Sequence, residues 1–147
     1  MLLRRAFLAG SVAWVAAIPV AAFAASRPGA ASGVYAFALS VYAIGRLVCH
    51  QLPARSFHLW NTSLPVCARC TGIYFGAAAT ALLRAPRPSQ PTRFGGQARI
   101  VLLVACVPTA VTLLFEWTTG ITPANWIRAL AGLPLGAAVA WAIGMVN

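Results

Sequence analysis

The feature that most constrains the fold of this chain is a series of five long apolar runs in a sequence that contains a single acid. The runs cover residues 6–25, 33–48, 65–83, 100–119 and 124–146. About 20 apolar residues are enough for one helix to cross a bilayer. Charged residues make up 8% of the chain, whereas a soluble domain has about 25%. The sequence therefore predicts an all-α integral membrane protein of four to five transmembrane helices, with one polar loop at residues 49–64 that contains cysteine and histidine.

The positive charge is carried by eleven arginines, most of them at the ends of the apolar runs, against the single acid Glu116. This placement is typical of anchors to lipid headgroups, whereas a nucleic-acid site needs its basic groups gathered on one face. We therefore predict the lipid bilayer as partner, no nucleic acid, and a multi-pass location in the cytoplasmic membrane. If all five runs cross, the eleven arginines divide six to five between the two faces, and the positive-inside rule favours neither orientation.

The first 31 residues are open to two interpretations. A basic start, an apolar run and the sequence Ala22-Phe23-Ala24 together resemble a secretory signal with its cleavage site. The same run is long enough to be a retained helix, and the further apolar runs favour this interpretation. Residues 1–31 are accordingly predicted as an amino-terminal transmembrane helix or signal-like segment, and residues 32–147 as a membrane domain that carries the cysteine and histidine motif.

Three of the four cysteines and both histidines lie in the polar loop or at the start of the third run. Cys67 and Cys70 form a C-x-x-C motif, in or beside the first turn of a helix predicted to begin at Pro65. On such a helix both sulfurs share one face, and the unpaired N–H groups of the helix start favour thiolates. Cys49 and His50 precede this motif across a loop, as the first ligand pair of a zinc site does.

These residues support more than one function. In the leading hypothesis four side chains hold a transition metal, zinc or a similar ion, at the membrane surface: Cys49, His50, Cys67 and Cys70. His58 is an alternative to His50, because neighbouring residues rarely reach the same ion. One alternative function is a membrane thiol–disulfide oxidoreductase that uses Cys67 and Cys70, and another is a packing subunit of a larger membrane complex. Carboxylate-pair catalysis is excluded because the chain has one acid.

Small residues recur at four-residue spacing in two of the predicted helices. One row contains Gly72 and Gly76, and the other contains Gly132, Gly136 and Gly144. Such rows let helix backbones approach closely in lipid. Packing within one chain is the favoured interpretation, and a homodimer through Gly72/Gly76 or Gly132/Gly136/Gly144 is the alternative.

The only acid also has a predicted partner. Glu116 and Arg128 fall near the facing ends of the fourth and fifth runs. We predict an ion pair that closes this helical hairpin, although an ionisable group at membrane depth is also a reason to expect a functional site.

A longer pattern surrounds the cysteines. It consists of Cys49-His50-Gln51, Pro53, Arg55-Ser56-Phe57, Pro65-Val66-Cys67, Arg69-Cys70, Gly72 and Tyr74, with a looser continuation through Pro108, Asn125, Arg128, Gly132 and Gly136. In these residues the chain resembles an uncharacterised prokaryotic family, the domain of unknown function number twenty eighty-five. The resemblance covers roughly the carboxy-terminal two thirds of the chain. It implies a multi-pass membrane protein and carries no established activity.

Overall fold

The computed structural model describes residues 2–29, 31–83 and 94–144, without the side chains of residues 2–4, 94 and 95. These residues form five α-helices: α1 (Leu2–Ala25), α2 (Ser32–Val48), α3 (Ala68–Leu83), α4 (Phe94–Thr119) and α5 (Asn125–Ile143). The loop between α2 and α3 contains a 3₁₀ turn at Pro53–Arg55 and two short strands, β1 (His58–Leu59) and β2 (Thr62–Ser63). The strands pair antiparallel, with His58 opposite Ser63 and Leu59 opposite Thr62. The predicted all-α membrane architecture is confirmed.

The helices differ in the thickness of bilayer that they can span. Within the described residues, three segments are long and apolar enough to cross a bilayer: Arg5–Ala25, Gly96–Thr119 and Asn125–Ile143. The apolar helix α2 has 17 residues and α3 has 16. At a rise of 1.5 Å per residue both are about 25 Å long, somewhat less than the roughly 30 Å of a hydrocarbon core.

Two helix starts differ from the sequence prediction. The prediction that α3 begins at Pro65 is wrong, because α3 begins at Ala68 and the Cys67 carbonyl accepts the first helical hydrogen bond, from the Thr71 N–H at 2.9 Å. Pro65 is instead fully buried in the loop. Helix α4 begins at Phe94, so the predicted polar connector at residues 84–99 is partly helical, and its residues 84–93 lie outside the described part of the chain.

Helices α3 and α5 run parallel and touch through their glycines. A Cβ atom added to Gly72 would lie 1.9 Å from the Ala129 carbonyl oxygen, and one added to Gly136 would lie 1.7 Å from the Ile73 carbonyl oxygen. Gly76 and Gly132 meet the opposite backbone in the same way. The two glycine rows therefore pack within one chain. A homodimer stays a prediction, and these four glycines are already occupied by contacts inside the monomer.

The other helices are arranged around this pair. Helix α4 runs antiparallel to α5, and the Thr109 hydroxyl donates to the Ala131 carbonyl at 2.8 Å. Helix α1 runs antiparallel to α3. Trp14 makes an edge contact with Tyr74 at 6.1 Å between ring centroids, and Phe23 makes one at 5.1 Å with Trp60, in the loop before α3.

These directions give the bundle two different ends. At the first, which we call the loop end, α1, α2 and α4 finish and α3 and α5 begin, around the loop at residues 49–67. At the second, the connector end, α3 finishes and α4 begins, joined by the connector at residues 84–93. The cysteines and histidines of the motif all lie at the loop end.

Candidate metal centre

Three cysteines from three places in the chain converge at the loop end. Cys49 directly follows α2, Cys67 directly precedes α3, and Cys70 lies in the first turn of α3. Their sulfur atoms all lie within 4.8 Å of one another, and all three are free thiols. The sequence prediction that the two thiol-bearing segments meet is confirmed.

The end of α2 is held against the start of α3 by one side chain. The Gln51 amide donates hydrogen bonds to the Tyr42 carbonyl of α2 and to the Pro65 carbonyl before α3, both at 2.7 Å. Gly45 makes this approach possible, since a Cβ there would lie 2.3 Å from the Pro65 carbonyl oxygen. Gln51 has a φ of 50°, a left-handed conformation that is uncommon for a residue with a side chain. The two hydrogen bonds of Gln51 explain its position in the motif, because they bring Cys49 close to Cys67.

The sulfurs receive hydrogen bonds that favour negative charge. The backbone N–H of Cys67 donates to the sulfur of Cys49 at 3.2 Å. A hydrogen bond from the Cys70 thiol lowers the pKa of Cys67 to about 5; burial opposes this shift, and the N–H groups of Cys70 and Arg69 support it. Because Cys67 stands at the start of α3, its sulfur accepts the N–H groups that a helix start leaves unpaired. These contacts favour the thiolate form of Cys67.

The three thiols line a cavity of about 330 Å³ at the loop end. Its wall also includes His50, Gln51 and three arginines. His50 is exposed and does not belong to the group of atoms within 4.8 Å of one another. His58, the alternative ligand, is exposed in β1 and does not belong to that group either. The structure thus brings the three sulfurs together, with His50 on the same cavity wall.

The acid of the chain lies beside this cavity and binds more than its predicted partner. The Arg128 guanidinium donates to both oxygens of Glu116, at 2.8 and 2.9 Å, so the predicted ion pair is confirmed. Arg55 also reaches Glu116 at 2.7 Å, and Arg69 at 3.6 Å. Glu116 is 6% exposed and Arg128 is 1% exposed. One buried carboxylate therefore holds three guanidinium groups from the loop, α3 and α5.

Sequence reasoning missed two members of this cluster. Arg55 and Arg69 were separated from Glu116 by more than 40 positions, and no local pattern connected them. A signal was nevertheless present, because buried arginines need an anionic partner and the chain offers a single acid. This signal applies to Arg69, whose side chain is 14% exposed, and not to Arg55, whose side chain is 43% exposed.

The loop is also tied directly to α5. Ser56 is fully buried, and its hydroxyl donates to the Leu52 carbonyl at 3.1 Å. The Ser56 carbonyl in turn accepts a hydrogen bond at 2.9 Å from the Asn125 amide, in the first turn of α5. The two parts of the sequence motif, before α3 and in α5, therefore meet at the loop end.

The three sulfurs suit a zinc-like ion. In a tetrahedral site with Zn–S bonds of about 2.3 Å, the sulfurs are about 3.8 Å apart, and the three sulfurs here all lie within 4.8 Å of one another. Three thiolates carry one more negative charge than a divalent ion neutralises. Arg55, Arg69 and Arg128 on the cavity wall exceed the charge of Glu116 and can balance this surplus.

Comparison with known proteins places the chain in a family. Residues 49–142 match the family described as predicted membrane protein, DUF2085. The chain belongs to this DUF2085 family. The match begins at Cys49, the first cysteine of the cluster, and extends almost to the end of α5. The family resemblance stated from the sequence is thereby confirmed.

Two archaeal proteins are similar to parts of this chain. An uncharacterized protein of Methanocaldococcus jannaschii is 36% identical over 73 residues, which are 50% of this chain and 46% of that protein. An uncharacterized protein of Methanothermobacter thermautotrophicus is 30% identical over 95 residues, 65% of this chain and 83% of that protein. The chain thus spans about half the length of the first relative and most of the second. No solved structure matches this chain.

Proposed function

We propose that this DUF2085 protein binds one transition-metal ion, zinc or a similar ion, at the end of its membrane bundle. The observation that carries the proposal is the convergence of Cys49, Cys67 and Cys70, with all three sulfurs within 4.8 Å of one another. Thiolate sulfur is a preferred ligand of zinc. The low pKa of Cys67 supports the proposal, because a metal binds the deprotonated form.

His50 is the fourth ligand in this proposal. It lines the same cavity as the three thiols, and its exposure leaves the ring free to turn about its side-chain bonds. Zinc in a structural site has four protein ligands, whereas a site with three protein ligands keeps a position for water or another molecule. Whether His50 binds therefore separates a structural site from one that handles an external ligand.

The proposed ion joins α2 to α3 and so acts on the packing of the loop end. Cys49 belongs to the end of α2, whereas Cys67 and Cys70 belong to the start of α3. Gln51 already holds these two segments together. A bound metal would reinforce the junction between α2 and α3. Loss of the metal would loosen this junction without separating α3 from α5.

Metal analysis of the purified full-length protein in detergent tests this proposal. We expect about one ion per chain in the parent protein and close to none in Cys67→Ser or Cys70→Ser. Cys106→Ser is the matched control, because Cys106 is a free, exposed cysteine of α4 away from the cluster. A parent protein without metal, or serine variants that keep it, would refute the proposal.

A second pair of variants addresses the fourth ligand. His50→Ala should weaken metal binding by more than tenfold if His50 coordinates the ion, whereas His58→Ala in β1 should leave it unchanged. Competition with a chelator measures both affinities on the same scale. Equal affinities in the two variants would show that three protein ligands hold the ion.

The same three sulfurs favour one other function, thiol–disulfide exchange. The Cys67 thiolate would attack a disulfide of a client, and the displaced client sulfur would leave as a thiolate. Cys70 would then attack the mixed disulfide and release the reduced client, leaving a Cys67–Cys70 disulfide. Thiol trapping in cells tests this alternative: it requires a detectable Cys67–Cys70 disulfide, whereas metal ligation predicts reduced thiols that react slowly.

A further inference from the structure

Both ends of α2 lie at the loop end of the bundle. Its last turns are held there, because the Tyr42 hydroxyl donates to the Ser63 carbonyl at 2.5 Å and Cys49 contacts Cys67. Its start follows α1, whose own end lies beside the loop through the contact of Phe23 with Trp60. The arrangement is unlike that of α3, α4 and α5, each of which connects the loop end with the connector end.

The link between α1 and α2 is too short to carry the start of α2 away from the loop end. The helical turn of α1 continues to Arg27, whose N–H donates to the Ala24 carbonyl at 3.3 Å and whose guanidinium lies 4.5 Å from the centre of the Phe23 ring. From Arg27 to Ser32 the chain can extend at most about 17 Å. A full crossing needs about 30 Å. Helix α2 therefore cannot begin at the connector end.

The surface of α2 indicates what surrounds it. Its buried residues form a single stripe of Ala38, Val41 and Gly45. Large apolar side chains cover the other sides, and the exposed ones are Val34, Tyr35, Phe37, Leu39, Ile44, Leu47 and Val48. This apolar surface continues that of the neighbouring α1, and exposed arginines, Arg27 and Arg46, lie at its two ends. Lipid acyl chains fit the apolar sides, and headgroup phosphates fit the arginines.

The arginine distribution then distinguishes the two faces. With four crossings, by α1, α3, α4 and α5, the sequence positions of six arginines are at or next to the helix termini of the connector end: Arg4, Arg5, Arg84, Arg87, Arg93 and Arg99. Five fall at the loop end, and three of these, Arg55, Arg69 and Arg128, bind Glu116. That leaves Arg27 and Arg46 to interact with the membrane surface. Counted over the arginines that Glu116 does not bind, the division is six to two, and this excess favours a cytoplasmic connector end.

We infer that α2 enters and leaves the membrane on the same face, embedded in the lipid of the outer leaflet, and that the loop end faces the cell exterior. Four helices cross the membrane. The cavity with its three thiols opens toward the exterior, and any ion or disulfide that reaches it comes from that side. The inference depends on helix directions and charges and is independent of the metal proposal.

Labelling of introduced cysteines with a membrane-impermeant maleimide in intact cells tests the inference. The sites are Ser32→Cys at the start of α2, Thr122→Cys between α4 and α5, and Ser89→Cys between α3 and α4. The first two positions are exposed, Ser32 at the start of α2 and Thr122 in the loop between α4 and α5. The parent chain, with its own four cysteines, gives the background. We expect labelling of the first two in intact cells and of Ser89→Cys only after permeabilisation.

Two results would overturn the inference. If Ser32→Cys behaves like Ser89→Cys and unlike Thr122→Cys, then α2 crosses the membrane. If Ser89→Cys alone reacts in intact cells, then the loop end faces the cytoplasm. In neither case would the metal proposal be affected, because it makes no statement about which side the cavity faces.

A pair of arginine substitutions tests the depth of α2 independently. Leu39 lies near the middle of α2 and is 63% exposed, and Val107 lies near the middle of α4 and is 53% exposed. An arginine at the centre of a bilayer is strongly unfavourable, whereas near the headgroups its side chain can reach water. We expect Leu39→Arg to accumulate in membranes like the parent protein and Val107→Arg to be depleted severalfold. Equal depletion of both would show that α2 crosses.

Discussion

Helix α5 is held on two sides by different physical means. Toward α3 it presents Gly132 and Gly136, and the two backbones touch with no side chain between them. Toward α4 it presents Arg128, which is buried and bound to Glu116. In lipid the hydrophobic effect does not drive helices together, so close van der Waals packing and polar bonds have to do so. Close packing holds α5 against α3, and polar bonds hold it against α4.

The two interfaces also differ in how they depend on their surroundings. The glycine interface is local, since each contact needs only that both positions lack a side chain. The Glu116 cluster is shared, because residues of the loop, α3, α4 and α5 all meet at one carboxylate. A change in the cluster should therefore reach the thiol cavity, whereas a change in the glycine interface should act on helix packing.

The largest effect is expected from Glu116→Gln. The substitution removes the anion that holds three guanidinium groups and leaves the buried Arg128 without a counter-charge. Breaking a buried ion pair on one side typically costs about 3–5 kcal/mol. We therefore expect a loss of this order in the free energy of unfolding in detergent, together with weaker metal binding if the cavity is disturbed.

The double variant Glu116→Gln/Arg128→Met separates the cost of leaving Arg128 without its counter-charge from the cost of changing the shapes of the two side chains. It removes a buried cation together with its partner, so it should be more stable than the sum of the two single losses predicts. Additive losses would mean that the two side chains do not interact, contrary to the contacts described here.

An intermediate effect is expected from Gly136→Ala. The added Cβ would lie 1.7 Å from the Ile73 carbonyl oxygen, so α3 and α5 have to move apart along their contact. Overpacking of this kind typically costs about 1–3 kcal/mol, measured again as the free energy of unfolding in detergent. Gly10→Ala in α1 is the matched control, because nothing lies within 4 Å of the added Cβ. A Gly136→Ala variant as stable as the control would contradict the close packing of α3 on α5.

Local patterns in the sequence predicted some parts of this arrangement well. The apolar runs located all five helices, because hydrophobicity over about 20 residues reports burial in lipid directly. The glycine spacing identified the faces that bring α3 and α5 together. The clustering of cysteine and histidine located the cavity, since reactive side chains are rare elsewhere in so apolar a chain.

Other parts could not be predicted because they depend on contacts between distant residues. Pro65 looked like the first residue of a helix, but the Gln51 amide binds its carbonyl, and α3 begins at Ala68. Hydropathy indicates the length of α2. It does not show that hydrogen bonds of Tyr42 and Gln51 hold the end of α2 beside the start of α3. The same limitation concealed Arg55 and Arg69, whose partner lies far along the chain.

The smallest effect is expected from Tyr42→Phe, which tests the attachment of α2 to the loop. The hydroxyl of Tyr42 donates to the Ser63 carbonyl, and its removal leaves that partly buried acceptor unpaired while the ring stays in place. Such a loss typically costs about 1 kcal/mol. Tyr35→Phe is the matched control, since Tyr35 is an exposed tyrosine of the same helix, and its free energy of unfolding should equal that of the parent. If α2 instead stood free of the loop, the two variants would be equally stable.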